Sequence, residues 1–228
     1  MRVLFTGGGT GGHVYPGLAV LERLSADRCA GPVQVAWVGR PAGVEEALVA
    51  RQGIAFLPVH TGALRGRSPV QGAGSLVNLA RGIGESRQIV NTFRPEVVFS
   101  TGGYVTAPLT VAAWRAKVPV VIYLPDMQPG LAVRQLSHLA TRVCVSFDSV
   151  QQHFTREVTV TGYPVRRELL TADKRAARKA LGLGASTPVL LVLGGSSGAH
   201  SLNEAVSRHL EELLDLAAII HVSGGGDL

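Results

Sequence analysis

The chain has 228 residues, 46% apolar and 17% charged, which is enough for one large domain or one domain and part of another. Cys29 and Cys144 alone make neither a disulfide framework nor a zinc site, and the longest apolar runs, such as Val118–Leu124, are far too short to span a bilayer. The formal charge of +6 leaves nucleic acid, an anionic membrane surface or a phosphorylated substrate as possible partners.

The first expected strand, Arg2–Thr6, is too brief for a signal peptide and breaks into glycine without a cleavage pattern, so the protein is expected in the cytoplasm. It runs into FTGGGTGGHVYPG, Phe5 to Gly17, and then a helix over Pro16–Ala26. A strand-to-helix turn built of glycine lets backbone N–H groups approach a ligand, and the helix end adds partial positive charge. Pro16 suits a first helical turn and places His13 at or just before the helix start. A neutral imidazole there can serve as a general base, or simply cap the helix and bond the loop. Gly7-x-Gly9-x-x-Gly12 also matches the dinucleotide fingerprint. With Arg40 after the second strand to meet a 2′-phosphate, an NADP-dependent oxidoreductase stays open.

Further strands are expected at Val33–Val38, Ala55–Val59, Val97–Ser100, Val118–Leu124, Val143–Phe147 and Val158–Thr161. Helices are expected at Val44–Gln52, Gly74–Phe93, Thr106–Ala116, Leu131–Leu139 and Ser149–Phe154. Near-continuously apolar strands alternating with helices predict an α/β, doubly wound parallel sheet covered on both faces. Between Glu46 and Glu85 there is no acidic residue, while Arg51, Arg65, Arg67 and Arg81 lie in that window. Arginine among aliphatics, with no aromatic platform for bases, suits a membrane interface better than a nucleic acid. Leu64, Arg65, Arg67 and Val70 form the candidate membrane patch, and spacing puts Leu76, Leu79, Ala80 and Ile83 on one buried helix face.

The pattern resets after a turn-rich link at 162–167. A helix at Lys174–Leu181, a strand at Pro188–Leu193, a second glycine loop (LGGSSGAHSLN, Leu193 to Asn203), a helix over Ser201–Leu214 and a strand at Ala218–Val222 follow. Each glycine loop follows the first strand of its own doubly wound unit, giving domains at 1–163 and 164–228. Two strands cannot close a core, so the second unit is expected to be incomplete: a fragment, or a part that docks on another polypeptide.

Four segments in order, GGGTGGHVYPGLAV, STGGYVTAP (Ser100–Pro108), GYPVR (Gly162–Arg166) and GGSSGAHSLN, resemble the MurG family. The resemblance implies a GT-B fold of two Rossmann-like domains, the second here only begun. It also implies transfer of N-acetylglucosamine from UDP-GlcNAc to a polyprenyl-diphosphate-linked muramoyl-peptide at the inner face of the cell membrane. By the same resemblance, Thr10, Gly11, Gly12, Arg166 and Ser196 contact the donor, and Gly102, Gly103 and Tyr104 shape the acceptor pocket. His13 becomes the candidate base. Where typical members carry His-Glu-Gln-Asn, this chain has Tyr123-Leu124-Pro125-Asp126. Asp126 can bind sugar hydroxyls, act as the base, or merely make a turn after proline. With no metal-binding acidic pair at a strand end, no metal or other cofactor is expected. Two other readings stand beside the transferase: a non-catalytic, membrane-recruiting subunit of a two-chain transferase, and a UDP-sugar epimerase of the same fold.

Overall fold

The structure, a computed structural model, describes residues 1–26, 31–62, 69–195 and 198–225, with the backbone alone for 69–73. It divides into two compact units, Met1–Arg167 and Glu168–Leu228, four residues later than the link motif suggested.

Among the described residues the first unit holds seven strands: β1 (Arg2–Thr6), β2 (Gln34–Gly39), β3 (Ala55–Pro58), β4 (Val97–Ser100), β5 (Val120–Leu124), β6 (Arg142–Val145) and β7 (Thr159–Val160). All pair in parallel, in the order β3-β2-β1-β4-β5-β6-β7. The helices are α1 (Gly11–Ala26), α2 (Val44–Ala50), α3 (Pro69–Phe93), α4 (Ala107–Arg115) and α5 (Leu131–Leu136). Side chains alternate across a strand, so β1 feeds two cores. Leu4 joins Val98, Ile122, Leu109 and Val133 on one face; Val3 and Phe5 join Val14, Leu18, Trp37 and Val49 on the other. The expected doubly wound architecture is therefore present. Strand order reverses between β1 and β4, and a crevice opens outside the carboxyl ends at such a reversal.

Several elements differ from expectation; among them α3 begins at Pro69 instead of Gly74, and α5 gives way to a 3₁₀ turn after Leu136. Helix α1 begins at Gly11, not Pro16, so Pro16 lies in the helix interior and cannot donate to the Gly12 carbonyl. Residues Asp148–His153 form 3₁₀ turns instead of an α-helix. The single helix expected over Ser201–Leu214 is broken at His209 (φ −111°, ψ 21°) into α8 (His200–Arg208) and α9 (Leu210–Leu216).

On α3 the buried residues are Ser75, Gly82, Ser86 and Val90, with Leu79 and Ile83 half-buried. Leu76 and Ala80, expected on that face, are exposed, Leu76 by 56%. Small residues hold the inner face because the chain after β3 runs against it: a Cβ on Gly82 would strike the His60 carbonyl oxygen.

The second unit comprises α6 (Arg167–Leu170, its first residue belonging to the first unit), α7 (Lys174–Ala180), α8, α9, β8 (Val189–Leu193) and β9 (Ala218–Val222), with β8 and β9 parallel. Within it, buried Asn203 donates to the Ser223 carbonyl at 2.8 Å and meets His221 Nε2 at 2.8 Å, tying the start of α8 to the end of β9.

Candidate functional site

Loops from β1, β4 and β5 converge at the strand-order reversal. His13 sits in the first turn of α1, where its backbone N–H donates to the Thr10 carbonyl and its Nδ1 lies 3.1 Å from Thr10 Oγ1. The opposite ring nitrogen, Nε2, faces Asp126 Oδ2 at 3.6 Å. That gap is long for a direct hydrogen bond, and a hydroxyl oxygen seated beside the pair can come within about 2.8 Å of each atom. The His13 side chain is 21% exposed and that of Asp126 60%, so the imidazole forms part of the cleft wall and the carboxylate stands at the rim.

The β4 loop closes the site from the other side. Gly102 (φ +94°) lies against the imidazole, with a Cβ there falling 3.4 Å from His13 Cδ2. Gly103 (φ +85°) is confined to glycine twice over, since its Cβ would sit 2.6 Å from the Gly8 carbonyl oxygen. Tyr104 follows, its hydroxyl accepting from Arg40 Nη1 at 3.3 Å. Thr101 Oγ1 donates to the His13 carbonyl, joining the β4 loop to α1.

His13, Asp126, Gly103 and Tyr104 line one cleft of about 550 Å³, whose remaining wall is largely apolar, including Leu79, Leu131, Val133 and Leu136. A hollow of about 520 Å³ at the opposite end of the sheet is lined by Arg2, Gln34 and Phe93 and holds no comparable titratable pair.

Tyr123 stands where the resembling family has histidine. Its hydroxyl pairs with Ser146 Oγ at 2.6 Å and donates to the Gly162 carbonyl at 3.3 Å. Burial pushes the Tyr123 phenol up, partly offset by the Ser146 hydrogen bond, with Tyr163 and Asp126 among the charges pushing it further. Burial and then Asp126 raise Tyr163 in the same direction. Both phenols therefore stay neutral.

Of the other expected donor contacts, Arg166 lies over the Tyr15 ring of α1, 4.7 Å from its centroid, a cation–π placement. Ser196 lies outside the described residues, as do Leu64, Arg65 and Arg67; the backbone of Val70 belongs to α3, and its side chain is outside them too.

Sequence reasoning missed Glu45. Its side chain is fully buried, and its carboxylate accepts the Gly9 N–H and the Arg40 N–H, both at 3.1 Å. The fingerprint glycines are thereby largely accounted for by the protein itself. Gly7 makes room for Thr101, Gly8 makes room for Glu45, and the Gly9 N–H is engaged. A dinucleotide would need those groups for its pyrophosphate, so the fingerprint does not serve that purpose here. Gly12 remains open, with only Thr10 Oγ1 near its missing Cβ at 3.6 Å. The signal for Glu45 was helical phase: it lies one turn from the buried Val49 on α2.

The family profile described as "Glycosyltransferase family 28 N-terminal domain" matches residues 3–145. Among curated proteins, the UDP-N-acetylglucosamine–N-acetylmuramyl-(pentapeptide) pyrophosphoryl-undecaprenol N-acetylglucosamine transferase of Roseiflexus sp. (strain RS-1) is 42% identical over 263 aligned positions. That alignment covers 98% of this chain and 60% of the relative. The protein of the same name from Clostridium botulinum (strain Langeland) is 34% identical, over 100% of this chain and 63% of its own length. Among solved structures, Acinetobacter baumannii MurG matches with a TM-score of 0.70 and 27% identity, over 99% of this chain and 62% of that one. The UDP-GlcNAc 2-epimerase of Neisseria meningitidis (TM-score 0.65, 18% identity, 97% of this chain and 65% of that one) shares the fold alone. This chain thus spans somewhat over half the length of the relatives it matches, and the fold is of the GT-B type. On the family profile, the curated relatives and the glycine-lined cleft together, the chain belongs to glycosyltransferase family 28, with residues 3–145 as its N-terminal domain.

Proposed function

We propose that the chain carries the acceptor side of an inverting glycosyltransferase. The reaction is transfer of N-acetylglucosamine from UDP-GlcNAc to a muramoyl-peptide on a polyprenyl diphosphate. The observation that carries this reading is the His13–Asp126 pair, 3.6 Å apart at the mouth of a largely apolar cleft. The relatives' names support the choice of donor and acceptor. An acceptor hydroxyl seated between the two side chains gives its proton to His13 Nε2 as it attacks the anomeric carbon, and UDP leaves. Asp126 then stabilises the imidazolium. Thr10 fixes the ring by its contact at Nδ1, and Gly102 leaves room for the imidazole. The apolar wall suits the lipid-linked part of the acceptor, Gly12 offers open backbone to the donor, and the Arg166 guanidinium would meet phosphate oxygens. We place the reaction at the cytoplasmic face of the membrane, with the protein held there peripherally; among the described residues no helix is long and apolar enough to cross a bilayer.

The test is transfer of labelled GlcNAc from UDP-GlcNAc to undecaprenyl-diphospho-muramoyl-pentapeptide by the full-length protein. Labelled lipid product is expected, and EDTA is expected to leave the rate unchanged. UDP release without lipid product would replace the transferase with an epimerase-type reaction, and strict dependence on added divalent cation would sink the metal-free route.

A further inference from the structure

We propose that Glu45 is a positioning residue: its buried carboxyl group joins the β1 and β2 loops, and through Arg40 the β4 loop, into one frame that sets where His13 stands. This rests on the transferase reading of the His13 cleft. Glu45 is 1% exposed, on the first turn of α2 and outside the cleft lining. A buried carboxyl group is costly without hydrogen-bond partners, and here two backbone amides from different loops donate to it. Gly9 belongs to the β1 loop and Arg40 to the β2 loop, each donating at 3.1 Å. The Arg40 side chain then reaches Tyr104 of the β4 loop at 3.3 Å.

Gly8 of the β1 loop, and Gly39 and Gly43 between the end of β2 and the start of α2, make space for this one side chain. A Cβ on Gly8 would lie 2.6 Å from Glu45 Oε1, one on Gly43 2.6 Å from the same atom, and one on Gly39 2.9 Å from Glu45 Cγ. Such crowding around a hydrogen-bonded side chain specifies one position for it. Gly9 is one residue from Thr10, the partner of His13 Nδ1, so displacement of Gly9 moves the imidazole away from Asp126. Misplacement of a reacting group by about 1 Å costs on the order of a hundredfold in rate.

Glu45→Gln keeps the shape but turns an NH₂ toward one of the two amide donors. The full-length variant is expected to lose 10- to 100-fold in kcat, with KM for UDP-GlcNAc within about threefold of the parent. The decisive readout is the double-mutant cycle with His13→Ala. If Glu45 acts through His13, Glu45→Gln costs less than about threefold once His13 is gone, whereas a merely structural loss multiplies in full. Full multiplication, or an unchanged kcat in the single variant, overturns the proposal. If the variant fails to fold, or the parent transfers no sugar, amide hydrogen exchange of the unmutated protein decides. The Gly9 amide is expected to exchange at least about a hundredfold more slowly than the Gly12 amide. Equal rates overturn the proposal independently of the transferase reading.

Discussion

A glycine in a loop can serve a ligand, a neighbour or its own backbone, and the first loop of this chain contains all three kinds. Gly9 needs glycine for its φ of +86°, Gly7 and Gly8 yield space to Thr101 and Glu45, and Gly12 faces open space. The sequence marks all of these with the same letter. It showed a glycine-built strand-to-helix turn, and the family resemblance pointed to His13 and Asp126, but it could not say that the latter two come within 3.6 Å. That separation depends on the β5 loop folding back over a helix more than a hundred residues earlier. At this scale the expectation concerns the base. His13→Ala should lower kcat about a hundredfold with KM little changed, as for loss of a proton acceptor. A loss below threefold would hand the role to Asp126.

At the scale of elements, strands were the most legible, because near-continuous apolar runs bounded by glycine and proline leave little choice. Helix faces were less so. Leu76 and Ala80 were assigned inward by spacing, yet the inward face of α3 carries Ser75, Gly82 and Ser86, because the segment after β3 packs too close for larger side chains. Glu85 fastens that segment: its carboxylate accepts the His60 N–H and meets His60 Nδ1, both at 2.8 Å, and takes Arg81 Nε at 3.2 Å. Burial alone would raise the Glu85 carboxyl, but the His60 hydrogen bonds and the charges of His60 and Arg81 hold it below its ordinary value. A carboxyl depressed on folding contributes stability above its unfolded pKa and loses it as pH falls through the folded one. Glu85→Gln should therefore cost about 1 kcal/mol near pH 7, with the difference shrinking toward zero as acidification carries the pH through the depressed carboxyl. Urea unfolding of both proteins across that range checks it, and a gap that widens on acidification would contradict the assignment.

For the whole molecule, strand-helix alternation made the doubly wound class readable, and the two glycine loops announced two units. The boundary was less legible, because Tyr163, Val165 and Arg166 look like linker in sequence but pack with the first unit, Arg166 on Tyr15. Association with a membrane is a property of the whole surface and charge. The full-length protein should sediment with vesicles containing about 30% anionic lipid, and replacing both Arg65 and Arg67 by Glu should lower the bound fraction several-fold at low salt. Equal sedimentation of parent and variant would remove those arginines from the contact.

The central place of β1 also bears on how the chain is made. Residues 2–6 are synthesised before either strand that flanks them in the sheet, and one edge of that strand can pair as soon as residues 34–38 emerge. The other edge must wait for residues 97–100. For roughly sixty residues of elongation, Val3, Leu4 and Phe5 present an apolar strand with an open hydrogen-bonding edge, which is the kind of surface that self-associates. The nascent chain is therefore most in need of chaperone cover before the fourth strand leaves the ribosome.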